Sequence, residues 1–268
     1  MRVLQDEPLA FLVNLGDFAG NPTPAEHHFV IAEMATEMLT PYPIFLVPGN
    51  HDVGGTGFTT ADFERCYGPH QFAFRYGPDL FVILRYIRGQ PTGPAETFLN
   101  TVLERERASA RHVFVFMHTP LGVSPAFAKA GAPDGAAIVS LLEAFHVTYA
   151  IAGDLHGYRR LERDGVRFLV SGGGGASLDK RSPYGRFHHA LVLDVGPDGI
   201  GESVLRVPHA LAIQDRLELW AIVRVGPWLE RTWYVAAVVA GAWLLLIVLA
   251  WRSFIRGRRR PMASCPSP

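Results

Sequence analysis

The feature that most constrains the fold is an alternation of short, almost continuously apolar segments with segments of helical periodicity. Apolar segments bounded by Gly, Pro, Asn or Asp predict strands buried on both faces, as in a parallel sheet covered by helices. Strands are predicted within residues 11–17, 43–52, 112–120 and 147–156, and helices within residues 27–40, 97–110 and 136–145. The pattern therefore predicts an α/β fold.

Further along the chain the pattern changes to short apolar segments that are joined by Asp-Gly pairs. The pairs Asp164-Gly165 and Asp198-Gly199 are turn sequences typical of tight antiparallel hairpins. Another strand pair is predicted within residues 72–87. Parallel and antiparallel strands are therefore expected in the same domain.

Side chains able to bind a metal ion follow four of the predicted strands. They are Asp17 after the first strand, Asn50, His51 and Asp52 after the second, His118 after the third, and Asp154 and His156 after the fourth. Each alone has an ordinary explanation, since Asp is common in turns and a single His is usually structural. The carboxyl ends of parallel strands meet at one edge of a sheet, and carboxylate, amide and imidazole ligands together suit Zn, Mn or Fe. We therefore predict one shared metal site.

These residues belong to four short motifs. The motifs are Gly16-Asp17, Gly49-Asn50-His51-Asp52, His118 and Gly153-Asp154-Leu155-His156. The series resembles the motifs of the calcineurin-like metallophosphoesterases, over roughly residues 8–207. The resemblance implies a sandwich of two mixed β-sheets flanked by helices, and hydrolysis of a phosphate mono- or diester. The implied cofactor is a pair of divalent metal ions, with Mn, Fe or Zn the expected metals.

The resemblance also implies a role for each predicted ligand. Asp17 would bridge both ions, and His156 would bind the first of them. Asn50 and His118 would bind the second ion. Two such ions can hold a hydroxide and clamp a phosphoryl group for in-line displacement.

The implied catalytic residue is His51, which would act from the side as general acid or charge stabiliser, with Asp52 orienting its ring. Because these residues are present, the preferred function is a membrane-anchored phosphoesterase that acts on a phosphate ester. The alternative is a catalytically impaired binding or scaffold protein at the membrane. A nuclease is less favoured, and no nucleic-acid partner is expected, because Lys+Arg and Asp+Glu are equal at 25 each and no basic stripe is present.

Two departures from the family pattern favour the alternative. Asp154 stands where the family has the first histidine of Gly-His-x-His, and its shorter side chain can ligate directly, through water or not at all. No Asp-x-His precedes Gly16, which leaves the first ion with Asp17 and His156. We expect that an upstream segment is missing and that it carries an export signal and the Asp-x-His strand; the other hypothesis is a degenerate site.

A segment near the end of the chain, residues 232–251, has no charged side chain and is long enough to cross the ~30 Å hydrocarbon core of a bilayer. Trp233 and Trp251 lie at its ends, where aromatic side chains concentrate at membrane interfaces. We therefore predict a single transmembrane helix. The predicted divisions are a phosphoesterase domain at 1–208, an amphipathic juxtamembrane segment at 209–231, the transmembrane helix at 232–251 and an Arg/Pro-rich tail at 252–268.

Charge predicts the orientation of this helix. Five arginines follow it without an acidic residue, whereas the arginines before it are mixed with Asp and Glu. The positive-inside rule therefore places the tail in the cytoplasm and the catalytic domain outside the membrane. Lys occurs only at positions 129 and 180; this reliance on Arg indicates a GC-rich bacterial genome.

One further motif, the glycine-rich stretch 172–175, has two open interpretations. Its backbone could approach a phosphate group. A turn between a strand and a loop explains the same residues equally well.

Overall fold

The computed structural model of the protein describes residues 7–36, 40–54, 57–175, 177–178, 185–207 and 225–258. The chain divides into two compact units, residues 1–210 and 211–268. Residues 209–224 of the predicted juxtamembrane segment 209–231 lie outside the described residues. Its amphipathic character stays a prediction.

The first unit consists of strands and helices that alternate in its first part and of hairpins in its second. The strands are β1 (Leu12–Asn14), β2 (Ile44–Leu46), β3 (Phe72–Tyr76), β4 (Asp79–Ile83), β5 (Val113–Met117), β6 (Tyr149–Ala152), β7 (Tyr158–Arg163), β8 (Val166–Ser171), β9 (His189–Gly196) and β10 (Gly199–Arg206). The helices are α1 (Pro24–Thr36), α2 (Thr60–Tyr67), α3 (Gly93–Glu106) and α4 (Ala136–Ala144), with a 3-10 turn at Arg107–Ser109.

The central sheet has six strands in the order β3-β4-β5-β6-β8-β7. Its four inner strands, β4, β5, β6 and β8, run parallel, and β3 and β7 pair antiparallel at the two edges. Two smaller sheets are the parallel pair β1-β2 and the antiparallel hairpin β9-β10. The mixed α/β architecture and the three predicted hairpins are thereby confirmed.

Both faces of the central sheet are buried, which explains why its inner strands have continuous apolar sequences. On one face, Val82 and Val115 pack with Leu99 of α3 and Ile138 of α4. On the other face, the inner strands pack against β1, β2 and β9-β10. The rings of Phe81 and Phe114 stack on this second face with centroids 4.9 Å apart. Each such fully buried side chain contributes roughly 1.5–3 kcal/mol of hydrophobic stabilisation.

Two helices differ from the predicted ones at their amino-terminal ends, whereas α4 begins at Ala136 as predicted. Helices α1 and α3 begin three to four residues earlier than apolar periodicity indicates, at Pro24 and at Gly93-Pro94. Proline is favoured in the first helical turn, where a backbone N–H has no intrahelical partner. The short helix α2 was not predicted, although Thr59 and Asp62 form a complete capping box at its start.

The second unit contains one long helix, α5 (Gly226–Arg258), whose backbone is non-helical at Thr232. Its stretch Thr232–Leu249 is long and apolar enough to cross a membrane, by length and composition. None of this stretch is buried, and large apolar side chains such as Val238 and Trp243 are exposed. Length, composition and exposure fit the predicted membrane helix, whose insertion and orientation stay predictions.

Candidate metal centre

Four of the predicted metal ligands lie together at the carboxyl ends of the strands. The Nε2 atom of His118 is 3.2 Å from Oδ2 of Asp17 and 3.2 Å from Oδ1 of Asn50. Oδ1 of Asp154 lies 3.9 Å from the same nitrogen. Ligand atoms of Asp17, His118 and Asp154 all lie within 4.8 Å of one another. The loops after β1, β2, β5 and β6 therefore converge on one point.

The distances between these atoms are suitable for one shared divalent ion. Ligand atoms that each lie about 2.0–2.2 Å from one cation are separated from one another by about 3–4.4 Å. The separations of 3.2 and 3.9 Å around His118 fall in this range. Two carboxylates, an amide oxygen and an imidazole form a mixed donor set suited to Mn, Fe or Zn.

Left-handed backbone turns aim the two carboxylates at this point. Asp17 and Asp154 have φ angles of +57° and +53°, which are unusual for residues other than glycine. Gly16, with φ of +92°, precedes the first of them, and a Cβ atom there would lie 2.7 Å from Nδ1 of His118. Only glycine fits this position without displacing the histidine. Two of the four described non-glycine residues with positive φ therefore lie at this site, and the other two are His146 and Asp164.

The ring of His118 is oriented for ligation. Its Nδ1–H donates to the carbonyl oxygen of Leu15 at 2.7 Å, so Nε2 is the ring nitrogen that faces Asp17 and Asn50. Such a bond from the distal ring nitrogen is the usual support of a ligating histidine. Burial opposes a charge on His118, but the carboxylates of Asp17 and Asp154 raise its pKa above the ordinary value.

The same contacts act on Asp17. Burial by itself would raise the pKa of this carboxyl group, but the ring of His118 and the backbone N–H of His51 lower it below the usual range. The His51 N–H donates to Oδ1 of Asp17 at 2.9 Å. Asp17 is therefore ionised at neutral pH, as a metal ligand must be.

His51, the predicted catalytic residue, lies beside this cluster with its side chain 49% exposed. Its Nδ1–H donates to the carbonyl oxygen of Gly20 at 2.7 Å. Its Nε2 atom lies 4.0 Å from Oδ2 of Asp17. The ring therefore presents Nε2 both to solvent and to the metal-binding side of Asp17.

The role predicted for Asp52 differs from the contacts it makes. Its carboxylate is fully buried and accepts hydrogen bonds from the backbone N–H groups of Asp17, Ala19 and Gly49, at 2.7, 2.9 and 2.8 Å. Burial raises its pKa to about 6, against the effect of these donors. Asp52 thus holds the two ligand loops together, while the ring of His51 is oriented by a main-chain carbonyl.

His156 is not part of the group formed by Asp17, His118 and Asp154. Its Nδ1–H donates to the carbonyl oxygen of Ser177 at 2.7 Å. The predicted role of His156 as a ligand of the first ion stays a prediction.

Close packing accounts for part of the glycine-rich stretch. A Cβ atom on Gly172 would lie 2.1 Å from the carbonyl oxygen of Leu155, and one on Gly173 would lie 2.2 Å from the ring of His189. Steric demand thus explains both glycines without a phosphate group.

Two cations at the site were missed by the sequence analysis. Arg88, in the loop after β4, donates to Oδ1 of Asn50 at 2.9 Å and contacts Oδ2 of Asp154 at 3.1 Å. Lys129 contacts Oδ1 of Asp154 at 2.9 Å and donates to its carbonyl oxygen at 2.6 Å. The one available signal was that Lys129 is a rare lysine in an arginine-rich chain.

A buried histidine of α1 supports the loop that carries Asn50 and His51. The Nε2–H of His27 donates to the carbonyl oxygen of Asp52 at 2.9 Å, and its Nδ1 accepts from the hydroxyl of Tyr67 at 2.9 Å. His27 belongs to the start of a helix, as predicted, and joins α1 and α2 to the site.

Comparison with known proteins agrees with this arrangement. The model of the calcineurin-like phosphoesterase family matches residues 2–158. The serine/threonine-protein phosphatase CPPED1 of Bos taurus is 31% identical over 125 residues, which cover 41% of this chain and 40% of that protein. This chain therefore spans less than half the length of that relative.

Solved structures share the fold. Purple acid phosphatase PPD1 from yellow lupin seeds has a TM-score of 0.54 at 20% identity, covering 72% of this chain and 43% of that chain. GAP50, described as the anchor in the inner membrane complex of Plasmodium, has a TM-score of 0.54 at 14% identity, covering 83% and 87%. A dimetal phosphatase from Danio rerio has a TM-score of 0.50 at 14% identity, covering 63% and 74%. The family match over residues 2–158, more than half of the chain, shows that the chain belongs to the calcineurin-like phosphoesterase family.

Proposed function

We propose that this protein is a membrane-anchored, metal-dependent phosphoesterase that hydrolyses a phosphate mono- or diester. The observation that carries the proposal is the convergence of Asp17, Asn50, His118 and Asp154, with separations suited to one divalent cation. Relatives named as phosphatases support this reaction class.

The residues of the chain divide the work of such a reaction. A divalent ion held by the four ligands would supply Lewis acidity and a water molecule of lowered pKa. The carboxylate of Asp17 would offset part of the positive charge of the ion on the side that faces His51. When protonated, His51 can donate its Nε2 proton to the leaving-group oxygen, and Gly20 keeps the ring in that orientation.

The number of ions is a separate part of the proposal. The contacts of the described residues support one ion, bound by two carboxylates, an amide and His118. The second predicted ion rests on Asp17 and His156, and a dinuclear site stays a prediction. Metal analysis of the purified chain after dialysis against Mn²⁺ distinguishes one equivalent from two.

The activity is tested with the full chain in detergent and two generic aryl esters, p-nitrophenyl phosphate and bis(p-nitrophenyl) phosphate. We expect hydrolysis to disappear with EDTA and to return with Mn²⁺, Fe²⁺ or Zn²⁺, because the metal supplies the nucleophile. The Asp17→Asn variant should not regain hydrolysis when metal is added back. The control variant Asp198→Asn, in the β9-β10 turn, should regain hydrolysis like the wild type. Hydrolysis that persists in EDTA would contradict the proposal.

The membrane proposal rests on α5 and on the arginines that follow it. We propose a single-pass protein with an extracytoplasmic domain and a cytoplasmic tail. Protease added to intact spheroplasts that produce the full chain should digest the domain and leave the tail intact. Full protection of the domain would contradict this orientation. Bacterial origin also stays a prediction.

A second candidate function is a catalytically impaired scaffold at the membrane. One observation favours it: Asp154 is already ion-paired with Arg88 and Lys129. A structural neighbour, GAP50, is described as an anchor. A chain that retains neither Mn²⁺ nor ester hydrolysis would support this function over the first.

A further inference from the structure

Two protein cations occupy positions beside the proposed metal ligands. Arg88 reaches Asn50 and Asp154 with atoms 2.9 and 3.1 Å away, and Lys129 reaches Asp154 at 2.9 Å. Half of the four-residue ligand set is therefore already bonded to a positive charge. A metal ion and these two side chains need the same oxygen atoms.

The two carboxylates among the candidate ligands are matched by two side-chain cations before any metal ion is bound. Asp17 and Asp154 contribute two negative charges, and Arg88 and Lys129 contribute two positive charges. The side chain of Asp154 is 1% exposed, that of Lys129 is 18% exposed and that of Arg88 is 31% exposed. Because Asp154 is buried, removal of its partners would leave an uncompensated carboxylate, which is costly.

Both cations are held in place by additional bonds. Lys129 donates to the main-chain carbonyl of Asp154 at 2.6 Å as well as to its carboxylate. The backbone N–H of Arg88 donates to Oγ1 of Thr119 at 3.2 Å. The side chain of Lys129 and the backbone of Arg88 are therefore fixed beside the ligands.

We infer that Arg88 and Lys129 are built-in counter-cations, which keep the ligand cluster folded without metal and weaken the binding of a divalent ion. The inference rests on the proposed metal site. Fixed positive charges beside the ligand oxygens repel an entering cation, and in a partly buried site this repulsion is weakly screened. Removal of either charge should therefore strengthen metal binding, whereas loss of a supporting residue ordinarily weakens it.

The test is calorimetric titration of the metal-free full chain in detergent with Mn²⁺. Arg88→Gln and Lys129→Gln remove the charge and keep a hydrogen-bond donor. We expect each to bind Mn²⁺ about tenfold more tightly than the wild type, or more. Lys129→Arg keeps the charge and should bind like the wild type, as should Arg75→Gln, which changes a cation paired with Glu106 on α3.

Thermal unfolding gives a second readout that is independent of activity. Without metal, Arg88→Gln and Lys129→Gln should unfold at lower temperature than the wild type, because Asp154 loses a partner. Saturating Mn²⁺ should raise their unfolding temperature by more than it raises that of the wild type, since tighter binding stabilises the native state further. If Lys129→Gln does not fold, Arg88→Gln decides the question.

Unchanged or weaker Mn²⁺ binding in a folded charge-removal variant would overturn the inference. If metal-dependent ester hydrolysis were retained in that case, the proposed function would still stand. Absence of Mn²⁺ binding in the wild type and all variants would overturn both the metal site and the inference. Binding that appears only in the charge-removal variants would be the strongest support.

Discussion

The two ends of the central sheet each contain a buried carboxylate with a cationic partner, and the two sites are built differently. At the amino end, Asp79 bonds to Arg111 through both carboxylate oxygens, at 2.9 and 2.5 Å, and accepts the N–H of His112 at 3.1 Å. At the carboxyl end, Asp154 contacts two cations and lies beside two further candidate metal ligands, Asp17 and His118.

The difference shows which end is structural. The remaining nitrogen of Arg111 donates to the carbonyl oxygen of Gly196, so the Asp79–Arg111 pair joins β4 and β5 to β9. All three guanidinium nitrogens of Arg111 thus have a hydrogen-bond partner. Asp154, by contrast, is paired with two cations, Arg88 and Lys129, where Asp79 is paired with one. The amino end stabilises the sandwich, and the carboxyl end brings together charged groups and the candidate metal ligands.

The largest expected effect is on turnover at the carboxyl end. His51→Ala should lower turnover by ~10²–10⁴-fold, the usual contribution of a positioned acid–base residue. Its unfolding temperature should change little, because the side chain is half exposed. Steady-state assays with an aryl phosphate and thermal unfolding check both parts. Undiminished turnover would remove His51 from the mechanism.

Gly16→Ala should damage the same end through the backbone. The added methyl group would collide with Nδ1 of His118, and the alanine would have to keep the left-handed backbone conformation of Gly16. We therefore expect a loss of about 2 kcal/mol or more in the free energy of unfolding. Mn²⁺ affinity should fall as His118 shifts. The matched control is Gly165→Ala, which has φ of +78° but no atom within 4 Å of its Cβ. Equal losses in both variants would show that strain alone, and not the contact with His118, matters.

At the amino end, Asp79→Asn should affect stability and not chemistry. The change breaks a buried pair with Arg111, and we expect a loss of about 1–3 kcal/mol in the free energy of unfolding, measured with urea. Turnover per folded molecule should equal that of the wild type. A selective loss of turnover would contradict the division of the sheet into a structural and a chemical end.

The smallest effect is a pH dependence of that stability. The hydrogen-bonded guanidinium of Arg111 lowers the pKa of Asp79 below its ordinary value. Because the folded-state pKa is depressed, the stabilisation is present above the unfolded pKa of about 3.9 and is lost as pH falls below it. The stability difference between the wild type and Asp79→Asn should therefore shrink from pH 5 toward pH 3. A difference independent of pH would show that the pair acts by packing alone.

Local patterns in the sequence were sufficient to predict most elements of the fold. The hairpins at Asp164-Gly165 and Asp198-Gly199 were predicted correctly because turn chemistry depends on adjacent residues. Helix α2 was missed because it is short and buries a single large side chain, Phe63. Its capping box, Thr59 with Asp62, was the local signal that indicated it.

The sequence by itself determined the family, the buried strands and the loops that carry Asp17, Asn50 and His118, because strand periodicity and motif spacing are local properties. Tertiary structure decided what surrounds them. Asp52 bonds to a backbone N–H 33 residues away, and Arg88 bonds to an amide oxygen 38 residues away. No pattern along the chain encodes such pairs, since they form only when β1 and β2 pack on the central sheet and bring separate loops to one edge.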